Sequence, residues 1–255
     1  MRGPFIRVGG HTLYEPGLRD GACVVDLGAN RGSFRRQLSG RIRDATFHAV
    51  EANPALLEAL NRQGYASVQG CAVTAGHERV RLQVAQNDEA SSILTLPESS
   101  PLGAVSVGAV EVDGRSMEEI LCEIPGFIDV VKVDIEGAEA GALQTLTAPT
   151  LARVGQLSVE FHRDTIFGFD LAGETRAAIR HLERGGFVGL SFWANDMDVL
   201  LLNRSRFGVP RATALRWKWS LRSQHRLAAT RVEFGRRRIA ARRALVASVG
   251  RVRRP

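Results

Sequence analysis

Residues 22–32 read ACVVDLGANRG, and this stretch decides the expected fold. A β-branched run ends at Asp26, and Gly28 and Gly32 flank a short loop before Ser33, a candidate helix N-cap. Glycine lets the backbone turn sharply and approach a ligand where a Cβ would clash, and the first turn of a helix offers free N–H groups. The stretch predicts a strand, a loop able to approach a ligand, and a helix, although the glycines could serve the turn alone.

The same alternation of strand and helix continues outward along the chain. The predicted strands are residues 22–26, 45–51, 66–73, 80–84, 107–112, 128–134, 156–161, 187–193 and 198–202. The predicted helices are residues 33–38, 54–62, 116–122, 138–146 and 171–183, and residues 98–106 are predicted to form a loop. This pattern is typical of an α/β fold with a mostly parallel sheet and helices on both faces.

Acidic residues lie at or near the ends of four predicted strands. Asp26, Glu51 and Asp134 are terminal, and Glu160 lies one residue before the end of its strand. Ligands of an open α/β sheet bind beyond the carboxyl ends of the strands. A carboxylate at the end of the second strand, such as Glu51, can accept hydrogen bonds from both hydroxyls of an adenosine ribose. The pattern therefore predicts a ligand that contains a nucleoside.

The loop also discriminates between nucleoside cofactors. A dinucleotide-binding loop reads G-x-G-x-x-G, and its second glycine admits the pyrophosphate. Asn30 occupies that position here, and Asp26 before the loop suits a ligand that carries an amino group. Both features favour S-adenosylmethionine over NAD(P), and an NAD(P) oxidoreductase is the less favoured alternative.

Three ordered motifs resemble the FkbM-type methyltransferase family. They are DLGANRG (26–32), VEANP (50–54) and IDVVKVDIEGAE (128–139). Residues 87–94, with their paired serines, and residues 157–162 (LSVEFH) are similar to later segments of that family. The resemblance runs from about residue 20 to residue 203.

The resemblance implies a class I, Rossmann-like, seven-stranded sheet with helices on both faces. It also implies S-adenosylmethionine as cofactor and methyl transfer, usually to a hydroxyl of a sugar or a secondary metabolite. Asp134 and Glu136 would lie beside the transferred methyl, although they could instead be an acidic pair stabilised by a helix dipole. The implied cofactor-binding residues are Asp26, Gly28, Asn30, Gly32, Glu51, Asn53, Cys71, Asn87, Asp134 and Glu136.

Three residues are candidates for the base that accepts the proton of an attacking alcohol. His162 titrates near neutrality by default, and Asp134 and Glu160 lie at strand ends, but His162 could also be a surface or supporting residue. Asp134, Glu136 and Glu160 could converge on Mg²⁺, yet no spacing requires a metal and we predict none. The remaining histidines show no ligand pattern: His11, His48, His77, His181 and His225.

Charge divides the chain into unequal parts. The 255 residues carry a formal net charge of +7, but residues 201–255 hold 16 of the 34 Lys+Arg and a single acid, Glu233. That stretch therefore sums to +15 and the remainder to −8. We predict an N-terminal segment (1–20), a methyltransferase domain (21–203) and a basic, largely helical tail (204–255).

The basic tail has three interpretations. Ala214, Trp217, Leu221, Ala228 and Val232 recur on one helical face, and Gly235 could end the helix. This face could pack on the body of the protein and leave the arginines solvated. A basic amphipathic helix could instead lie on an anionic membrane surface, or, less favoured, bind nucleic acid phosphates.

Composition excludes several classes of protein. Hydrophobic residues are 44% and charged residues 24%, which is unlike a disordered chain. We see no apolar run long enough for a membrane span, no secretory signal, and no disulfide framework or C-x-x-C metal site among Cys23, Cys71 and Cys122. We expect a cytoplasmic enzyme that acts on a small-molecule or glycan acceptor and that could also lie at the membrane surface. The alternative is a non-catalytic cofactor-fold protein whose tail binds anionic lipid or RNA.

Overall fold

A seven-stranded sheet forms the framework of the protein. The computed structural model describes residues 3–85, 106–162, 170–193 and 195–225. The strands are β1 (Phe5–Val8), β2 (His11–Tyr14), β3 (Cys23–Leu27), β4 (Thr46–Val50), β5 (Ser67–Gln69), β6 (Ala72–Thr74), β7 (Glu78–Ala85), β8 (Ser106–Ser116), β9 (Ile128–Val133), β10 (Val154–Val159), β11 (Phe187–Ser191) and β12 (Val199–Asn203). The helices are α1 (Ser33–Ser39), α2 (Pro54–Asn61), α3 (Met117–Glu123), α4 (Glu139–Gln144), α5 (Ala148–Ala152), α6 (Ala172–Arg184) and α7 (211–225).

The order of the seven strands is β11-β12-β10-β9-β3-β4-β5. The five strands from β10 to β5 are parallel, whereas β12 runs antiparallel to both β10 and β11. The predicted α/β fold and the seven-stranded sheet are therefore confirmed. The parallel register brings the carboxyl ends of β3, β4, β9 and β10 to one edge, where the acidic residues of the sequence were expected to meet.

Alternate residues of the central strands face two hydrophobic layers. Val25 belongs to a core cluster that includes buried residues of α3, α4, α5 and α6, and Val24 to a second cluster with buried residues of α1 and of β1 and β2. On the β12 edge, Leu200 and Leu202 pack with Ala214 of α7. Helices therefore cover both faces of the sheet, as predicted.

The N-terminal segment is a β-hairpin that packs on the sheet. Its strands β1 and β2 pair antiparallel around the turn at Gly9 and Gly10. The side chain of Thr12 donates a 2.6 Å hydrogen bond to the buried carboxylate of Asp198. The side chain of Gln156 in β10 accepts a hydrogen bond from the backbone of Tyr14. These bonds fix the hairpin beside the carboxyl ends of the central strands.

Two local predictions are wrong. The single strand predicted over residues 66–73 is two strands in different sheets, because the chain leaves the main sheet after β5 and β6 joins a three-stranded sheet of order β6-β8-β7. The cap of α1 is Gly32, in the left-handed conformation, and Ser33 is the first helical residue. Asn53 does cap α2, because its side chain accepts a hydrogen bond from Ala55 N.

Helix α7 is the described part of the basic tail. Ala214 is buried, and Trp217 and Leu221 are partly buried against the edge of the sheet. The ring of Trp217 lies 5.1 Å from that of Phe5. The predicted apolar face thus packs on the body, whereas Ala228, Val232 and Gly235 lie outside the described residues. Within the described ranges, no helix has the length and apolar character needed to cross a membrane.

Candidate active site

The loop between β3 and α1 passes very close to the end of β9. Gly28 has a φ of 72°, and a Cβ at this position would lie 1.8 Å from the backbone oxygen of Asp134. The N–H groups of Gly28 and Ala29 both donate to the backbone oxygen of Val50 at 3.0 Å. The loop therefore depends on glycine at residue 28 for both its conformation and its contact with β9.

Lys132 is a buried cation that joins the ends of β3 and β9. Its Nζ lies 3.4 Å from Asp26 Oδ1 and 3.5 Å from Asp134 Oδ2. It also donates hydrogen bonds to the backbone oxygens of Leu27 and Gly28. Burial opposes the charged form, but Asp134 and Asp26 outweigh it and raise the pKa of Lys132.

Asp26 lies beneath the glycine loop rather than on an open surface. Its side chain is fully buried, and its Oδ2 accepts a 3.2 Å hydrogen bond from the Tyr65 hydroxyl. Burial raises the pKa of Asp26, although the charge of Lys132 opposes the rise. In this arrangement Asp26 supports the loop from below, and its contact with a methionine group stays a prediction.

Glu51 connects two loops through its carboxylate. Its Oε2 accepts a 2.7 Å hydrogen bond from Asn30 N, and its Oε1 accepts one of 2.8 Å from Asn53 N. Burial raises the pKa of Glu51 in spite of these two bonds. The carboxylate stands at the strand end where a ribose was expected, and its role in binding one stays a prediction.

The other predicted cofactor residues lie in different settings. Gly32 has a φ of 73°, and Asn53 caps α2. Cys71 is buried in the main hydrophobic core, and burial raises the pKa of its thiol to about 11. Asn87 lies outside the described residues.

A cleft of about 380 Å³ opens between the glycine loop and the ends of β9 and β10. Acidic side chains line one wall and the loop backbone lines the other. The lining residues include Gly28, Asn30, Asp134, Glu136, Glu160 and His162. The structure therefore brings together residues from three of the predicted segments of the site, which are 26–32, 128–139 and 157–162.

His162 faces three carboxylates of this cleft. Its Nε2 lies 3.3 Å from Glu136 Oε2, 3.9 Å from Asp134 Oδ1 and 4.0 Å from Glu160 Oε1. Its Nδ1 forms a 2.9 Å hydrogen bond with Oε1 of the buried Glu139. Burial opposes the imidazolium, but Glu139, Glu136 and Asp134 outweigh it and raise the pKa of His162 to about 10. The buried Glu139 thus orients the ring of His162.

The three cleft carboxylates differ in their pKa. Burial and the neighbouring acids raise the pKa of Glu136 to about 8, against the opposing charge of His162. Burial and the charge of Asp134 raise the pKa of Glu160. Burial acts in the same direction on Asp134, but Lys132 outweighs it and lowers the pKa of Asp134. Glu136 also has a positive φ of 52°, which is uncommon for a residue with a side chain.

His11 is the cleft residue that sequence reasoning missed. It was expected to have no ligand role, but it is buried, it lines the cleft, and its Nε2 lies 3.8 Å from Asp134 Oδ2. The Gly9-Gly10 pair between two short apolar runs could have indicated the hairpin. Its position against the sheet depends on contacts with Asp198 and Gln156, which are far away in sequence.

The parallel sheet, the glycine loop and the acidic cleft are together typical of a cofactor-dependent transferase. The backbone of residues 28–31 forms one wall of the cleft, and Asp134, whose pKa is lowered by Lys132, offers a negative charge to a positively charged group such as a sulfonium. Both features fit S-adenosylmethionine. Residues 26–188 match the family model described as the methyltransferase FkbM domain. Because the match covers well over half of the sequence, the chain belongs to the FkbM methyltransferase family, and its cofactor is S-adenosylmethionine.

The chain is also similar to several solved structures at low sequence identity. Fibrillarin from Methanococcus jannaschii is 14% identical, with 77% of this chain and 80% of that chain covered and a TM-score of 0.41. CalS10, an amino pentose methyltransferase from Micromonospora echinaspora, is 12% identical, with 72% and 84% covered and a TM-score of 0.39. Precorrin-6y C5,15-methyltransferase from Geobacter metallireducens is 11% identical, with 72% and 79% covered and a TM-score of 0.37. No curated protein matches the chain.

Gly28→Ala should disrupt cofactor binding. The added methyl group would collide with the Asp134 backbone and the residue would keep a strained positive φ. We expect the affinity for S-adenosylmethionine, measured by isothermal titration calorimetry, to fall by at least about tenfold, a change of ~1.4 kcal/mol. Gly40→Ala is the matched control, because its Cβ would meet no atom within 4 Å. Equal affinities in the two variants would contradict the close approach.

Lys132→Met should destabilise the protein strongly. The change leaves the buried carboxylate of Asp26 without its cation, and breaking a buried pair in this way costs about 3–5 kcal/mol. The free energy of unfolding in urea measures the loss. Adding Asp26→Asn removes the uncompensated charge, so the double variant should recover part of the stability. The interpretation fails if the double variant is less stable than Lys132→Met alone.

Proposed function

We propose that this protein transfers a methyl group from S-adenosylmethionine to a hydroxyl oxygen of a sugar-containing or other small metabolite. The observation that carries the proposal is the meeting of Asp134, Glu160 and His162 in one cleft beside the glycine loop. Carboxylates and imidazoles are the side chains that accept hydrogen bonds and protons from an alcohol. The FkbM family supplies the reaction class, and this polar wall supports an oxygen acceptor.

The chain holds the cofactor chiefly through the loop between β3 and α1. Gly28 and Asn30 contribute their backbone to one wall of the cleft, and Glu51 lies behind that wall in contact with Asn30 N. In this proposal the Glu51 carboxylate also accepts hydrogen bonds from the ribose hydroxyls. Asp134 and Glu136 lie opposite the loop, next to the positive sulfonium.

The acceptor binds over the carboxylate wall. Asp134 and Glu160 have side chains that are 27% and 30% exposed, so both can contact a hydroxyl group that enters the cleft. The cofactor supplies an electrophilic methyl group. As the new oxygen–carbon bond forms and the sulfur–carbon bond breaks, the hydroxyl proton would pass to Glu160, the candidate base whose raised pKa suits it to hold a proton. His162, with a pKa of about 10, is already protonated and would act as a neighbouring imidazolium, and the lowered pKa of Asp134 makes it the weaker base. The remaining work of the protein is to align and desolvate the two reactants.

Glu160→Gln should reduce catalysis without loss of the cofactor. The amide keeps the shape of the side chain but loses the charge that orients or deprotonates the acceptor, so we expect kcat to fall by roughly 100-fold or more. The affinity for S-adenosylmethionine should stay within about threefold, because Glu160 lies outside the glycine loop. Glu174→Gln, on the first turn of α6, is the control for loss of a carboxylate.

The assay uses small-molecule and glycan extracts from cells that lack the gene. Full-length protein and methyl-labelled S-adenosylmethionine are added, and mass spectrometry detects a product that has gained one labelled methyl. The proposal expects an O-methylated product with wild-type protein and Glu174→Gln, and far less with Glu160→Gln. Labelling on nitrogen or carbon would refute O-methylation, and no labelling with any extract would favour the non-catalytic alternative.

We also propose that α7 places the enzyme at an anionic membrane surface. Leu215 and Trp219 are 67% and 73% exposed, although the opposite side of the same helix packs on the body. Arg211 and Arg222 are exposed on the same helical face as these two apolar side chains. A helix face that combines tryptophan, leucine and arginine suits the boundary between lipid headgroups and acyl chains.

Leu215→Ser/Trp219→Ser should weaken binding to anionic vesicles. We expect the full-length protein to float with phosphatidylglycerol vesicles at low salt, less at high salt because charge attraction is screened, and the double variant to float markedly less at both. Ala212→Ser/Ser220→Ala, at exposed positions of α7, is the control pair. An unchanged variant, or binding to RNA in preference to vesicles in a gel shift, would refute membrane docking through α7.

A further inference from the structure

The N-terminal hairpin carries a buried histidine into the carboxylate wall of the cleft. The turn at Gly9 and Gly10 has positive φ values of 56° and 93°, and His11 follows it directly. His11 is 2% exposed. Thr12 fixes its position by donating both its N–H and its hydroxyl to Asp198. The imidazole is therefore held rigidly where it meets the cleft.

The imidazole of His11 stops short of its nearest acid. Its Nε2 lies 3.8 Å from Asp134 Oδ2, which is too far for a normal hydrogen bond. Asp134 therefore faces the His11 ring at ion-pair distance, and the centroid of the Phe34 ring lies 5.7 Å from that of His11. A buried imidazole that faces a cleft at this distance from an acid points to a ligand between it and the acids.

His11, Asp134 and Glu160 form a compact set of metal-ligating groups. One potential ligand atom from each of them lies within 4.8 Å of the others. Donors on opposite sides of a divalent ion bound at about 2.0–2.2 Å are roughly 4–4.5 Å apart. The three side chains could therefore bind one ion with only small rotations.

Asp134, Glu136 and His162 form a second compact set, but its histidine is already paired. His162 Nδ1 is hydrogen-bonded to Glu139, and its Nε2 lies 3.3 Å from Glu136. This second set is a self-compensating charge network. The His11 set differs in its imidazole, which lies 3.8 Å from its nearest acid, although Asp134 in this set also pairs with Lys132.

We propose that the cleft binds one divalent cation through His11, Asp134 and Glu160. Two carboxylates and one imidazole combine the oxygen ligands preferred by Mg²⁺ and Mn²⁺ with a nitrogen ligand suited to first-row metals, so Mn²⁺ matches the set. The sequence predicts no metal, because no spacing of its acids and histidines requires one. His11 comes from the N-terminal hairpin, outside the family match over residues 26–188. The hairpin thus completes the site.

The bound cation would assist the proposed methyl transfer. Only this catalytic effect rests on the proposed function. A metal ion bound to the acceptor hydroxyl lowers the pKa of that hydroxyl and fixes its direction toward the methyl group. The hydroxyl proton would then pass more easily to the free oxygen of the Glu160 carboxylate, which binds the ion through its other oxygen, and no redox change or additional reactant is needed. Binding of the ion itself is testable without any acceptor.

The test is a titration of full-length, chelator-treated protein with MnCl₂. Electron paramagnetic resonance reports the free Mn²⁺, and we expect saturable binding of one ion per chain. His11→Gln and Glu160→Gln should each weaken the affinity by at least about tenfold. His77→Ala is the matched control: His77 Nδ1 also lies 3.8 Å from an acid, Glu119, but its side chain is 72% exposed. We expect this variant to bind like wild type.

Thermal unfolding and S-adenosylmethionine affinity are measured on the same samples. A variant that folds and binds the cofactor but loses Mn²⁺ supports the site. If His11→Gln fails to fold, Glu160→Gln alone decides. Absence of saturable Mn²⁺ binding, or equal binding by wild type and Glu160→Gln, overturns the cation site. Cofactor binding in those samples shows separately whether the proposed function stands.

Discussion

The ion pairs of Lys132 are the interaction on which the rest of the site depends. Asp26 and Asp134, two of the acids at or near strand ends, would repel one another if nothing compensated their charges. A single buried ammonium group lies between Asp26 and Asp134 and also donates to the backbone of the glycine loop. Lys132 therefore links the carboxylate of Asp134, at the end of β9, to the backbone of the loop after β3. The parallel register makes this possible, because Asp26 and Lys132 are directly paired in neighbouring strands.

The two sides of the cleft differ in how their groups are held: one is a hydrogen-bonded loop, and the other is a set of titratable side chains. The first side is the glycine loop, whose backbone forms hydrogen bonds with Val50, Glu51 and Lys132. The second side is the group of carboxylates and histidines, whose charges depend on which protons and ligands are bound. A cofactor that keeps one position needs the first, and an acceptor that must lose a proton needs the second. The fold supplies both at one edge of the sheet.

The sequence predicted the elements that depend on local pattern. The strand and loop at residues 22–32, the capped helix after Asn53 and the acids at strand ends are all readable from neighbouring residues, and the family motifs are local as well. Long-range contacts were not readable. Nothing near Lys132 indicates that it pairs with the distant Asp26, and nothing near His11 indicates that the hairpin packs beside β9 and β10. The run over residues 66–73 misled for the same reason, because apolar composition alone does not specify which sheet a strand joins.

The most direct test of this account is the affinity of S-adenosylmethionine for wild-type protein and for Glu51→Ala, measured by isothermal titration calorimetry. The account predicts one site per chain in the wild type and an affinity at least about tenfold weaker in the variant, since the ribose contact and the support of Asn30 are both lost. Circular dichroism shows whether the variant keeps its fold. No binding to the wild type, or unchanged affinity in a folded Glu51→Ala protein, would contradict it.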